Sequence, residues 1–161
     1  MSDDVLDATY RRYFPLIRQK CARALVDRQE AEDVAQDTFI RLWQAKAYRG
    51  HPLQISAWIY RTSTRLIVDR LRSRTSRSRL STIASEPASE TLAASLDARK
   101  LLTRVAATTP HRELEAAVLS RFDGLSQREL CEVLGVSDRT LRRLLSRFDA
   151  RMMAMLGEGG P

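Results

Sequence analysis

The sequence predicts an all-α protein of two small helical lobes joined by a flexible linker, and three observations carry that expectation. Glycine is scarce, 6 in 161 residues, and no alternation of apolar and polar residues persists. Apolar residues instead recur at three- and four-residue steps, the period of a helix. The two periodic blocks, about 3–74 and 98–156, are parted by the stretch TSRSRLSTIASEPASETLAASLD (75–97). That stretch is rich in serine, contains Pro87 and has few large apolar side chains, which is a linker composition.

In the first helix Leu6, Tyr10, Tyr13, Ile17, Cys21 and Ala24 make an apolar stripe, and Pro15 either kinks the helix or restarts it. A second helix, about Asp27 to Lys46, turns Ala31, Val34, Thr38 and Leu42 inward and carries Glu30, Asp33 and Asp37 on another side. Gly50 and Pro52 in AYRGHPLQ mark a loop. A third helix, about Ile55 to Arg74, turns Ile55, Trp58, Ile59 and Leu66 inward. Core packing suits Trp58 better than stacking on an unpaired base. The closing GEGGP is expected to be a disordered tail.

The chain carries a net charge of +7 with arginine dominant. Residues 1–74 hold 14 basic and 9 acidic groups, 75–97 hold 2 and 3, and 98–161 hold 11 and 8. Both lobes are basic and the linker is not, which suits two contacts with one polyanion. Cys21 and Cys131 have no spacing that suggests a disulfide framework or zinc site, so neither metal nor cofactor is expected. His51 and His111 are the only histidines, no acid–base or nucleophile cluster accompanies them, and an enzyme is not expected. His111, beside Pro110, belongs to a helix start. No secretory signal and no membrane-spanning run is visible, so a cytoplasmic location without membrane insertion is expected.

The strongest local pattern is LSQRELCEVLGVSDRTLRRLLSRF (125–148). Ser126 followed by Glu129 predicts a capping box. Leu130, Val133 and Leu134 supply a buried side, and Gly135 stands where a tight turn needs positive φ. Val136 fills the corner, Ser137 caps the next helix, and Cys131 is a small residue at a close helix crossing. At about 100° per residue, Arg142, Arg143 and Ser146 fall within about 60° of Arg139, with Arg147 near 80°. Leu141, Leu144, Leu145, Phe148, Met152 and Met155 fall on the opposite side. A basic face near the helix N-terminus, opposed by an apolar face, is the pattern of a DNA recognition helix. In the N-terminal lobe Arg61, Arg65 and Arg72 share one side of the third helix. Between 54 and 79 seven arginines face a single acid, Asp69, a phosphate track extended by Arg70, Arg74, Arg77 and Arg79.

Three stretches, YRRYFPLIRQKCARAL, DRQEAEDVAQDTFIRLWQA and ISAWIYRTSTRLIVDRLRSR, resemble region 2 of the sigma-70 family, in particular its small extracytoplasmic-function (ECF) branch. TTPHRELEAAVLSRFDGLSQRELCEVLGVSDRTLRRLLSR resembles region 4. The resemblance implies a sigma factor that binds core RNA polymerase and directs promoter recognition and transcription initiation. It implies that Asp33, Gln36, Asp37, Arg41 and Trp43 dock on the β′ coiled coil, with a further contact to the β subunit. Tyr48–Pro52 with Arg61, Arg65 and Arg72 would engage and open the downstream promoter element, holding its melted strand. Ser137, Arg139, Thr140, Arg142, Arg143, Ser146 and Arg147 would meet upstream double-stranded DNA. An anti-sigma factor is a further implied partner. The chain departs from the family pattern at Arg65, often asparagine there, at Arg142, Arg143 and Leu144, and at Phe148 and Asp149.

Two other functions compete. A helix-turn-helix regulator acting without polymerase explains the C-terminal lobe but not the acidic stripe. A sigma mimic that only sequesters an anti-sigma factor has no need of two basic faces. Two duplex contacts two turns apart lie roughly 70 Å apart. Twenty-three linker residues stretch to about 75 Å but relax to about 25–29 Å, a reach that allows a compact free form opening on polymerase and leaves compact and extended free forms both open.

Overall fold

A computed structural model describes residues 2–78 and 90–158. Seven α-helices are present among them: α1 Ser2–Ala24, α2 Arg28–Gln44, α3 Pro52–Ser78, α4 Glu90–Thr108, α5 His111–Arg121, α6 Gln127–Leu134 and α7 Asp138–Gly157. A single 3-10 turn, Ala47–Arg49, joins α2 to α3. No strand occurs among the described residues.

α1 runs unbroken through Pro15. Its Ile17, Cys21 and Ala24 are buried as the stripe predicted, whereas Tyr10 remains at the surface, stacked on Phe14 and edge-on to Phe39. α2 begins where Asp27 accepts hydrogen bonds from the Gln29 and Glu30 amides, satisfying donors that a helix start leaves free. It buries Ala31, Val34, Thr38 and Leu42. α3 starts earlier than expected, at Pro52, because proline's fixed φ suits a first helical position.

The linker is shorter than its composition implied. α3 continues to Ser78 and α4 begins at Glu90, so helix occupies both ends of the 75–97 stretch. The flexible connection expected there falls on 79–89, outside the described residues, as do the last residues of the tail, 159–161.

The lobes share a core. One cluster of buried side chains joins Ile17, Leu25, Leu42, Ile59 and Val68 of α1–α3 to Val105, Leu114, Val118 and Phe148 of α4, α5 and α7. A second cluster, with Leu119, Leu130, Val133, Leu141 and Leu144, builds the helix-turn-helix. α5 lies at the centre of both, and every residue from Glu113 to Leu119 is buried. Charged side chains in such a helix must find partners, because an unpaired buried charge is costly. Those partners position the sites described next.

Candidate nucleic-acid and polymerase interfaces

Ser126 accepts a hydrogen bond from the Glu129 amide at 3.2 Å while Glu129 Oε2 accepts one from the Ser126 amide at 2.7 Å, completing the capping box of α6. These hydrogen bonds hold the exposed Glu129 carboxyl below its ordinary range. Gly135 closes α6 at φ 64°, in the left-handed region that a side chain would strain. Ser137 then caps α7, accepting from the Thr140 amide at 3.2 Å, and the two hydroxyls lie 3.1 Å apart.

Leu141, Leu144 and Phe148 are buried, with Leu145, Met152 and Met155 half-buried beside them. Arg139, Arg142, Arg143, Ser146 and Arg147 are exposed together, as the helical arithmetic required. Arg142 pairs with Asp138 at 2.9 Å, one turn back, leaving the rest of its fork to solvent. Arg121 lies over the Phe148 ring at 5.0 Å and pairs with Asp149, two residues at which the sequence departs from the family pattern.

In the N-terminal lobe α1 and α2 form an apolar groove of about 480 Å³, lined by Leu6, Tyr10, Phe39, Ile40 and Trp43 and rimmed by Asp3, Asp7 and Gln36. Trp43 is 58% exposed and Ile40 50%. Asp33 and Gln36 are exposed, and Asp37 pairs with Arg41 at 3.1 Å. Glu30 leaves this stripe: it pairs with Arg70, at 3.7 Å, and with Arg74 of α3. Those two arginines are therefore structural links between helices, not free members of a phosphate track. Arg79 is outside the described residues, and the Arg77 side chain is not described. Tyr48, 5% exposed, belongs to the core, so Arg49 to Pro52 alone face outward in that loop.

Arg61, Arg65 and Arg72 do share one side of α3, and that side faces the C-terminal lobe. Arg61 Nε lies 3.0 Å from Glu115 Oε1 and Arg65 Nε 3.9 Å from the same oxygen. Arg72 donates to the carbonyls of Ala106, at 2.9 Å, and Thr109, at 3.2 Å, at the end of α4. Cations at a helix C-terminus are favoured by its orphan carbonyls and dipole.

Sequence reasoning missed the most buried charged residue among those described. Lys20 of α1 is 2% exposed, and its Nζ lies 2.7 Å from Asp123 Oδ2, in the turn after α5. It also donates to Thr64 Oγ1 at 2.8 Å, Ser63 Oγ at 3.0 Å and the Tyr60 carbonyl at 3.3 Å. Those hydroxyls in turn donate hydrogen bonds to the Tyr60 carbonyl. Burial pushes the lysine down and the aspartate up from their ordinary values, and their mutual attraction opposes both shifts. A signal was present: Lys20 stands on the stripe of Ile17, Cys21 and Ala24, where an apolar residue belongs. The neighbouring Cys21 thiol, fully buried, is pushed up to about 12 mainly by burial, which makes it a core hydrophobe and not a nucleophile.

Fold and faces define an all-helical DNA-binding protein with a basic face on α7 and an exposed apolar groove between α1 and α2. The sigma-70 region 2 model matches residues 9–77 and the sigma-70 region 4 model matches residues 110–147. The chain belongs to the sigma-70 family, and its type is extracytoplasmic-function. It is 27% identical over 151 residues to the ECF RNA polymerase sigma factor SigW of Bacillus subtilis, covering 84% of this chain and 80% of that protein. It is also 27% identical over 130 residues to the probable RNA polymerase sigma factor RfaY of Xanthomonas campestris pv. campestris, 74% of this chain but 32% of that longer protein. Among solved structures, CnrH in complex with the cytosolic domain of CnrY superposes with a TM-score of 0.60 at 23% identity, covering 96% of this chain and 89% of that one. The sigma factor RpoE from Bartonella quintana, in complex with the anti-sigma factor NepR, gives 0.54 at 21% identity, over 96% and 98%. At such identities the likeness is one of fold.

Proposed function

We propose that this protein is a sigma factor that docks on core RNA polymerase through α2 and directs promoter recognition through α3 and α7. One observation carries the proposal: a single chain presents two outward faces of opposite character. The face of α7 offers Arg139, Arg142, Arg143, Ser146 and Arg147, with Ser137 and Thr140 at its N-terminal cap, to major-groove edges and phosphates. The face of α2 offers Asp33, Gln36, Asp37, Arg41 and the exposed Trp43, a large aromatic anchor inside a polar rim. A regulator that bound DNA alone would have no use for that second face.

The functional units are 3–74, which holds the polymerase contact and the arginines for the melted strand, and 98–156, which reads the upstream duplex. Arg61, Arg65 and Arg72 serve the melted strand once α5 and the end of α4 move away. The role is that of a non-enzymatic initiation factor in the cytoplasm, where the template is; no helix among the described residues is long and apolar enough to cross a membrane. An anti-sigma factor would compete for the α1–α2 groove.

Run-off transcription with core polymerase on genomic promoter fragments tests the proposal, and absence of a promoter-dependent transcript overturns it. Asp33→Arg/Asp37→Arg should reduce co-purification with the β′ subunit while helix content stays unchanged. Undiminished co-purification would place the docking face elsewhere.

A further inference from the structure

We propose that the free chain holds itself in an autoinhibited state, in which two buried carboxylates of the C-terminal lobe occupy the cations of the N-terminal lobe in place of nucleic-acid phosphates. The inference rests on the reading of Arg61, Arg65 and Arg72 as promoter-strand contacts. Glu115, 4% exposed in its side chain, sits against Arg61 and Arg65, with His111 Nε2 4.0 Å from its other oxygen. Asp123, 4% exposed in its side chain, is held by Lys20. The carbonyls of Ala106 and Thr109 take Arg72. Lys20, Arg61, Arg65 and Arg72 thus each have an oxygen partner contributed by the C-terminal lobe, between Ala106 and Asp123.

The two acids are placed so that one movement releases both. Glu115 lies on α5 and Asp123 two residues past its end, so withdrawal of that helix frees Arg61, Arg65 and Lys20 together. Once α5 is withdrawn, the cations are hydrated and open to another anion. A phosphate strand supplies that anion at the same positions. Nucleic acid and the C-terminal lobe therefore compete for one set of arginines, and polymerase, by drawing the lobes apart, tips the competition toward the strand. Neither acid belongs to either proposed binding face, so conservative replacement removes the competitor without removing a contact.

The test compares the full-length parent with Glu115→Gln, Asp123→Asn and the double variant. A fluorescent single-stranded oligonucleotide reports affinity by anisotropy, and small-angle scattering reports size. The variants should bind the oligonucleotide about tenfold more tightly, within the usual range of coupling between two sites, and should expand in solution. Unchanged or weaker affinity in folded variants overturns the inference. A second measurement needs no variant: hydrogen exchange of the parent with saturating oligonucleotide should speed at residues 113–125 and slow along α3. Exchange that stays constant at 113–125 overturns the inference equally. Transcription separates this result from the broader proposal. A parent that initiates transcription while the variants behave as the parent rejects the latch alone, and a parent that fails to initiate while the variants bind more tightly rejects the sigma role alone.

Discussion

At the scale of single residues, the capping box shows how a surface interaction leaves a measurable trace. Glu129 is ionised at neutral pH, and its carboxyl is held low by the Ser126 amide and hydroxyl. A carboxyl whose value is lower in the folded than in the unfolded chain adds stability above its unfolded value. That contribution fades as pH falls through the lower, folded value. Glu129→Gln keeps an acceptor but cannot titrate. Thermal unfolding followed through the acid range should therefore fall less steeply in the variant than in the parent, which is the more stable at neutral pH and loses that advantage in acid. Equal slopes would mean that the box contributes nothing to folding. Lys20 illustrates the opposite case, a charge removed from solvent and matched by four oxygens. The sequence could register it only as an interruption of an apolar stripe, since its carboxylate lies over a hundred positions away at Asp123.

At the scale of elements, α7 separates binding from stability along one helix. Arg142 and Arg143 are exposed, and Leu144, the next residue, is 8% exposed in the helix-turn-helix core. Leu144→Ala should cost about 2–5 kcal/mol of stability through lost burial and a residual cavity. The double change Arg142→Ala/Arg143→Ala should leave unfolding nearly untouched. It should cost about 1–3 kcal/mol of duplex binding for each arginine that reads a base, with discrimination lost at that pair. Binding to specific and scrambled duplexes at two salt concentrations distinguishes base reading from phosphate contact, and unaltered binding to both would place the reading face elsewhere on the helix. This helix was legible because its inner and outer faces differ sharply in composition and its caps are local signals. α5 was not: ELEAAVL buries every side chain, so no face stands out, and its two glutamates look like ordinary surface residues until arginines from α3 and α7 are brought to them.

At the scale of the molecule, the division into two blocks was legible and their mutual packing was not. A serine-rich stretch announces a break in periodicity, but nothing local in α4 or α5 says that Val105 and Leu114 will join the core of α1–α3. The shorter connection also changes the geometry of opening. Between Ser78 and Glu90 lie residues 79–89, a stretch that reaches about 36 Å at most, half the span between two distant duplex contacts. The 19 residues of α4, about 28 Å long as a helix, make up most of the difference only if α4 swings off α3. Opening is thus expected to be a rigid swing of α4 with the lobe behind it.

That shared core has a consequence for the protein's lifetime in the cell. A swing of α4 and α5 uncovers Val105, Leu114, Val118 and Phe148 together with their partners on α1–α3. Contiguous apolar surface of that kind invites aggregation and capture by quality-control proteases unless something covers it. The chain is then durable when closed and durable when seated on a large partner, but vulnerable in passage between the two. Asp123→Asn should shorten the intracellular half-life measured by pulse-chase, and co-expression of excess core polymerase should restore it. Equal half-lives for parent and variant would show that the uncovered core escapes such surveillance. Abundance would otherwise track the supply of polymerase, so that surplus molecules are cleared without a dedicated degradation signal.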